Sequence, residues 1–115
     1  MPDIKELTSR IVKFNKERDW DQFHNPKDVA LSLVLEAAEV MEHFQWKSTE
    51  ESEVYLKDFK EDVGDELADV LYWVLLMSHD LDIDIKKAFE RKMKINEKKY
   101  PIEKARGRKN KYNKL

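Results

Sequence analysis

Apolar residues return every three or four positions along most of this chain, a spacing that predicts one helix after another and no strand pair. Ile4, Leu7, Ile11 and Phe14 form the first stripe and predict a helix from about Asp3 to Trp20, followed by a loop over Asp21 to Asn25. Asn25-Pro26 then opens a second helix. Asn accepts the hydrogen bond of an N-cap, Pro fits the first helical position, and Asp28 lies in the positive field of the helix start. This helix is expected to reach about Trp46. Ser48 with Glu51 three residues on reads as a capping box, so a long third helix is expected from about Thr49 to Asp80, irregular in its acidic first half around Gly64. The polar turn Asp80-Leu81-Asp82 ends it, and Asp84 caps a fourth helix carrying Ala88, Phe89, Met93 and Ile95. That helix should stop near Tyr100-Pro101, because the residue before a proline disfavours helical geometry.

With two glycines and three prolines in 115 residues, little else interrupts the pattern. The expected fold is all-α, of four-helix bundle type, with residues 1–101 as the helical domain and 102–115 as a basic arm, extended or partly disordered and flexible. Hydrophobic residues are 41% of the chain and charged residues 40%. A single domain of this size leaves much apolar helix surface uncovered, so the fold is expected to be completed by oligomerisation, as at least a homodimer. No cysteine is present, and no apolar run approaches the ~18 residues of a membrane span, so a soluble, cytoplasmic protein is expected.

The net charge of −2 conceals a division along the chain. Residues 1–85 hold 9 Lys and Arg against 21 Asp and Glu, whereas residues 86–115 hold 13 against 3. Such a division suits a nucleic-acid arm, a solvated tail, or a site in which acids hold a metal and bases hold an anion.

The acids themselves narrow the choice. Glu36 and Glu39 lie amid Leu33, Val34, Leu35, Ala37, Ala38 and Val40, and Glu66 and Asp69 lie amid Leu67, Ala68, Val70, Leu71 and Trp73. Side chains three apart on a helix reach toward one point, so two such pairs can converge. Carboxylates kept ionised under a bundle are costly unless a cation satisfies them together. Oxygen-only ligands favour Mg²⁺ or Mn²⁺, and no His stands three residues after Glu36 or Glu66, so the Glu-x-x-His signature of di-iron bundles is missing. The plainer alternative is that these acids edge each apolar stripe and face water.

Trp20, Phe23, His24 and Trp46 fall near helix ends, where a flat base can stack, although a Trp is as often simply buried. Lys92, Asn96 and Lys99 recur at four and three residues on the fourth helix, giving one face suited to a polyphosphate or to solvent. A carboxylate quartet with its metal and a cationic face is what a triphosphate requires.

Three segments, "ERDWDQFHNPKDVALSLVLEAAEVMEHFQW", "DELADVLYWVLL" and "KMKINEKKYP", resemble in order the motif blocks of the MazG-like all-alpha nucleoside triphosphate pyrophosphohydrolases, in particular the small dCTP pyrophosphatases. The resemblance covers most of the chain. It implies that Glu36, Glu39, Glu66 and Asp69 bind Mg²⁺, that Trp20, His24, Trp46 and Trp73 serve the nucleotide pocket, and that Lys92, Asn96, Lys99 and Tyr100 lie near the phosphates or base. It also implies a dimer or a dimer of dimers. Asp28 and Lys99 stand where the family often has Asn and Arg. Trp73 stands where a pocket Tyr is expected, which removes a hydroxyl from the base site and leaves the preferred base open. The implied reaction is Mg²⁺-dependent conversion of a nucleoside triphosphate, dCTP or a modified nucleotide among them, to monophosphate and pyrophosphate.

Two other classes make distinct expectations. A noncatalytic helical oligomer would ignore Mg²⁺. Nucleic-acid binding through Lys104 to Lys114 would be salt-sensitive, but Tyr112 is the one aromatic residue in that arm, which weighs against it.

Overall fold

The structure is a computed structural model and describes residues 3–109. Helix α1 spans Ile4–Glu17, α2 Pro26–Glu42, α3 Thr49–Asp80, α4 Ile85–Lys99 and α5 Ile102–Ala105. A single 3-10 turn, Asp21–Phe23, lies between α1 and α2, and the described residues contain no strand. The all-α class expected from the periodicity is what the chain adopts. Two compact units are distinguished, one ending at Asp82 and one beginning at Ile83.

In the first unit the caps fix the helix starts. Asp3 accepts from the Glu6 amide at 2.9 Å, and Asn25 accepts from the Asp28 amide at 2.9 Å while donating to the Asp28 carboxylate at 2.7 Å. The capping box is complete, with the Glu51 amide donating to Ser48 Oγ at 3.1 Å and the Ser48 amide donating to Glu51 Oε1 at 3.2 Å.

Three details differ from the periodicity. Helix α1 stops at Glu17 instead of Trp20, because Asp19 takes a left-handed φ of 55° and the amides of Arg18 and Trp20 both turn back to the Asn15 carbonyl. Helix α2 stops at Glu42, and Phe44 to Trp46 form turns, the Lys47 amide donating to the Phe44 carbonyl at 3.0 Å. In α3 the irregularity falls in the first half, as expected, but at Phe59 (φ −118°, ψ 16°) and not at Gly64. Phe59 stacks on Tyr55 with ring centroids 4.5 Å apart, an aromatic contact across one turn that the apolar pattern does not encode.

Helices α1 and α2 both pack on α3. Val29, Leu75 and Leu76 are almost completely buried, and Val63 nearly so. Asn15 joins them at 0% exposure, its amide donating to the Ile11 carbonyl at 2.9 Å and accepting from the Tyr72 hydroxyl at 2.9 Å. Leu31, Val34, Leu35, Leu67 and Leu71 remain exposed on α2 and α3.

In the second unit Asp84 caps α4 by accepting from the Lys87 amide at 3.1 Å, and the Tyr100 amide donates to the Asn96 carbonyl at 2.8 Å. Residues 102–105, in the arm expected to be extended or partly disordered, form the short helix α5, with Pro101 at its cap position and its carbonyl accepting from Lys104 and Ala105. Tyr112 and Lys114 of the expected arm lie outside the described residues. Among the described residues no helix is long and apolar enough to cross a membrane.

Candidate active site

Glu36 and Glu39 project from one side of α2 and Glu66 from the middle of α3, and one carboxylate oxygen from each lies within 4.8 Å of the others. All three are half-buried. Their convergence follows from the three-residue spacing on α2 and the packing of that helix along α3. Asp69, one turn beyond Glu66, is exposed and stands at the edge of this triad, close enough for its charge to act on both Glu36 and Glu66.

The crowding shows in the acidities. Burial pushes Glu36 above the usual carboxylate range, helped by a proton-sharing contact with Glu39 and by the charges of Glu39, Asp69 and Glu66. Glu66 is also raised, first by its hydrogen-bonding contact with Glu39, then by burial and the charge of Glu39, while His43 opposes the shift. When Glu36 is ionised its Oε2, sealed from water, has no hydrogen-bond donor. A sealed, undonated oxygen among converging carboxylates is the environment a hard divalent cation fits, since it needs oxygen ligands and they need positive charge.

Beside the carboxylates lies a groove of about 580 Å³. Phe14, Trp20, Tyr72 and Trp73 contribute to its lining, with Glu36 and Asp69 on the same surface and Arg10 among the other lining residues. The rings meet edge to face: Phe14 and Trp20 at 5.5 Å, Phe14 and Tyr72 at 6.3 Å, Tyr72 and Trp73 at 5.0 Å. Edge-to-face packing holds aromatic walls firmly and leaves ring surface open to a flat ligand. The Arg18 guanidinium sits 3.8 Å from the Phe14 ring centre and donates to the Phe14 carbonyl at 3.0 Å.

The remaining residues singled out by the sequence are distributed more widely. His24 lines a separate cavity of about 360 Å³ with Lys16, His79 and Asp80, and meets Trp73 edge to face at 5.9 Å. Its Nδ1 is sealed without a partner. Trp46 stands 88% exposed in the turns after α2. Lys92, Asn96 and Lys99 share one face of α4 in the second unit, and Tyr100 is its C-cap.

His43, Tyr72, Arg10 and Asn15 were not singled out by the sequence. His43 Nε2 is 3.8 Å from Glu66 Oε1, and the signal for it was present, since it follows Glu39 by one helical turn. Asn15 carried no signal: it occupies an apolar position of the first stripe only because Tyr72 supplies it a donor.

The MazG-like family description matches residues 31–115. The chain belongs to the MazG-like family. The matched span contains Glu36, Glu39, Glu66 and Asp69, and leaves out α1 and Trp20. Longer alignments cover those as well. This MazG-like chain is 35% identical over 116 residues to dCTP pyrophosphatase 1 of Rattus norvegicus, across 99% of its own length and 68% of the rat protein. It is 34% identical to dCTP pyrophosphatase 1 of Homo sapiens over the same shares. Among solved structures, a pyrophosphatase from Archaeoglobus fulgidus matches with a TM-score of 0.82 and 37% identity, over 88% of this chain and 94% of that one.

Proposed function

We propose that this MazG-like hydrolase converts nucleoside triphosphates to nucleoside monophosphates and pyrophosphate with Mg²⁺, or Mn²⁺ in its place, held by Glu36, Glu39 and Glu66 with Asp69 at the rim. The observation that carries the proposal is the convergence of three carboxylates within 4.8 Å beside an aromatic groove of nucleoside dimensions. The two dCTP pyrophosphatases and the archaeal pyrophosphatase support the reaction class, and dCTP is the first substrate to test.

When bound, the cation supplies Lewis-acid polarisation of the phosphate oxygens and a lowered pKa for attacking water. The protein does the rest by position. Trp20 and Trp73 hold the base against the groove, which places the triphosphate along the carboxylate side. Glu36 or Glu39 orients the attacking water and takes its proton as the new bond to the α phosphorus forms. The bond from the α phosphorus to the bridging oxygen breaks, and pyrophosphate departs. For Lys92, Asn96, Lys99 and Tyr100 the spacing on α4 supports a cationic, hydrogen-bonding face of the kind a polyphosphate requires. The exposed Leu31, Val34, Leu35, Leu67 and Leu71 support self-association, as a homodimer or dimer of dimers.

The test is a panel of canonical ribo- and deoxynucleoside triphosphates incubated with the protein, with and without Mg²⁺, and product separation by anion exchange. Monophosphate plus pyrophosphate is expected only with Mg²⁺. Release of orthophosphate, or no turnover of any triphosphate, would overturn the proposal.

A further inference from the structure

Beyond the carboxylates, one ring is held between a hydroxyl and the triad. His43 lies just past the end of α2 and Tyr55 in the first stretch of α3, before the bend at Phe59. The Tyr55 hydroxyl is hydrogen-bonded to His43 Nδ1 at 2.5 Å, and the other nitrogen of the same ring, Nε2, faces Glu66 Oε1 at 3.8 Å. The His43 side chain is only 14% exposed.

The surroundings fix both partners. Tyr55 stacks on Phe59 and meets Phe44 edge to face at 6.2 Å. Lys47 Nζ lies 4.2 Å from the Tyr55 ring centre and donates to the His43 carbonyl at 2.7 Å. The Tyr55 ring cannot turn without breaking these contacts, and the His43 ring cannot turn without breaking its hydrogen bond to Tyr55.

We infer that Tyr55 and His43 form a relay that positions the Glu66 carboxylate for metal binding, with Tyr55 selecting the imidazole tautomer that presents an N–H to Glu66. This rests on the proposed metal site. At 3.8 Å the Nε2–Glu66 contact is an ion-pair approach longer than a hydrogen bond, and because an ionised carboxylate only accepts, it draws the form of the ring with hydrogen on Nε2. In a neutral imidazole the opposite nitrogen then lacks one, and a hydroxyl, which can donate or accept, donates to it. With the ring neutral and its hydrogen on Nε2, the Tyr55 hydroxyl donates to Nδ1 and holds that tautomer. The partners of His43 are Tyr55 and Glu66, so its role is that of a positioning residue, acting through Glu66. Outer partners of this kind typically matter by about 10–100-fold in metal affinity when removed.

The experiment measures Mn²⁺ affinity of the full chain by electron paramagnetic resonance of the free ion, for wild type, His43→Ala, His43→Gln and Tyr55→Phe, alongside the ¹⁵N shifts of His43. His43→Ala should weaken Mn²⁺ binding by about 10–100-fold. His43→Gln should recover most of the loss, because its amide N–H can occupy the place of Nε2–H. Tyr55→Phe keeps the stacked ring and the fold, and should both weaken Mn²⁺ and move the ¹⁵N signature of His43 from the Nε2–H tautomer to a mixture. Mn²⁺ affinity within twofold of wild type in folded His43→Ala, or an unchanged His43 signature in Tyr55→Phe, would overturn the relay. Failure of the wild-type protein to bind Mn²⁺ would instead overturn the metal site, and the relay with it.

Discussion

Tyr72 on α3 donates its hydroxyl hydrogen to the amide oxygen of Asn15 on α1 across 2.9 Å, and Asn15 is completely enclosed. Burial raises the Tyr72 pKa, which keeps the hydroxyl intact as a donor. The same asparagine anchors the end of α1, because its backbone carbonyl accepts from the Arg18 amide at 3.2 Å and the Trp20 amide at 3.0 Å. One buried polar pair thus ties two helices together beneath the aromatic groove. Replacing Tyr72 with Phe leaves the Asn15 oxygen sealed and undonated, which should cost about 1–3 kcal/mol of stability. Thermal melting should report a fall of roughly 5 °C or more. An unchanged midpoint would mean that Asn15 finds another donor.

The carboxylate triad predicts an unusual pH dependence for the metal-free protein. Glu36 and Glu66 both lie above the ordinary value of 4.5 in the folded chain. Between that value and their raised ones the folded state holds more protons than the unfolded chain, so stability falls as pH rises through the window. The contribution is therefore unfavourable at neutral pH, and it is relieved by protonation or by a cation. In Glu36→Gln the neutral amide removes part of the repulsion. Metal-free Glu36→Gln should melt higher than metal-free wild type at about pH 7, with the difference shrinking toward pH 4.5. Added Mg²⁺ should raise the melting temperature of wild type and do much less for the variant. Equal melting curves at neutral pH would show that the three carboxylates do not repel one another in solution.

Much of this arrangement was readable from local chemistry. Asn25-Pro26, the Ser48 and Glu51 box, and Asp84 each set a helix start through a bond made within three residues, and such bonds depend on little else. Helix ends were harder. The left-handed Asp19 that stops α1 and the turns that replace the last residues of α2 are not marked by glycine. The carboxylates were legible because acids amid apolar neighbours carry a cost that composition exposes. Asn15 and Tyr72 were not, because each is explained only by the other, 57 residues away in the chain. The bend at Phe59 belongs to the same class, fixed by a ring stack and not by a helix-breaking residue.

Glu39 lies between the other two acids in effect, since its contact contributes to the raised acidity of both Glu36 and Glu66. Gln at this position keeps the shape and removes the charge. If Glu39 holds the cation or takes the proton of water, Glu39→Gln should lower turnover by about 10²–10⁴-fold, with circular dichroism unchanged. Turnover at the wild-type rate would remove Glu39 from the catalytic group.

Trp20 is 42% exposed at the groove and braced edge-on by Phe14, so its free ring surface is available to a base. Stacking of a base on an aromatic side chain contributes about 1–3 kcal/mol, as measured by truncation to alanine. Trp20→Ala should therefore raise KM for the nucleotide by roughly tenfold or more while changing kcat little, because stacking is shared by bound substrate and transition state. Trp20→Phe should recover most of the affinity. A fall in kcat with KM unchanged would instead place Trp20 in the alignment of the phosphates.

Gly64 separates two expectations about α3. A glycine that served as the hinge of this helix would need torsions or space that alanine lacks. The helix is regular at Gly64, its departure being at Phe59, and a Cβ added at Gly64 would meet nothing within 4 Å. Alanine there reduces the freedom of the unfolded chain without strain in the folded one, so Gly64→Ala should stabilise the protein by about 0.5–1 kcal/mol. Denaturant unfolding is the suitable measurement, with a higher midpoint and an unchanged slope expected. A lower midpoint would mean that α3 bends at Gly64 in solution, or that another copy of the chain packs against it too closely for a methyl group.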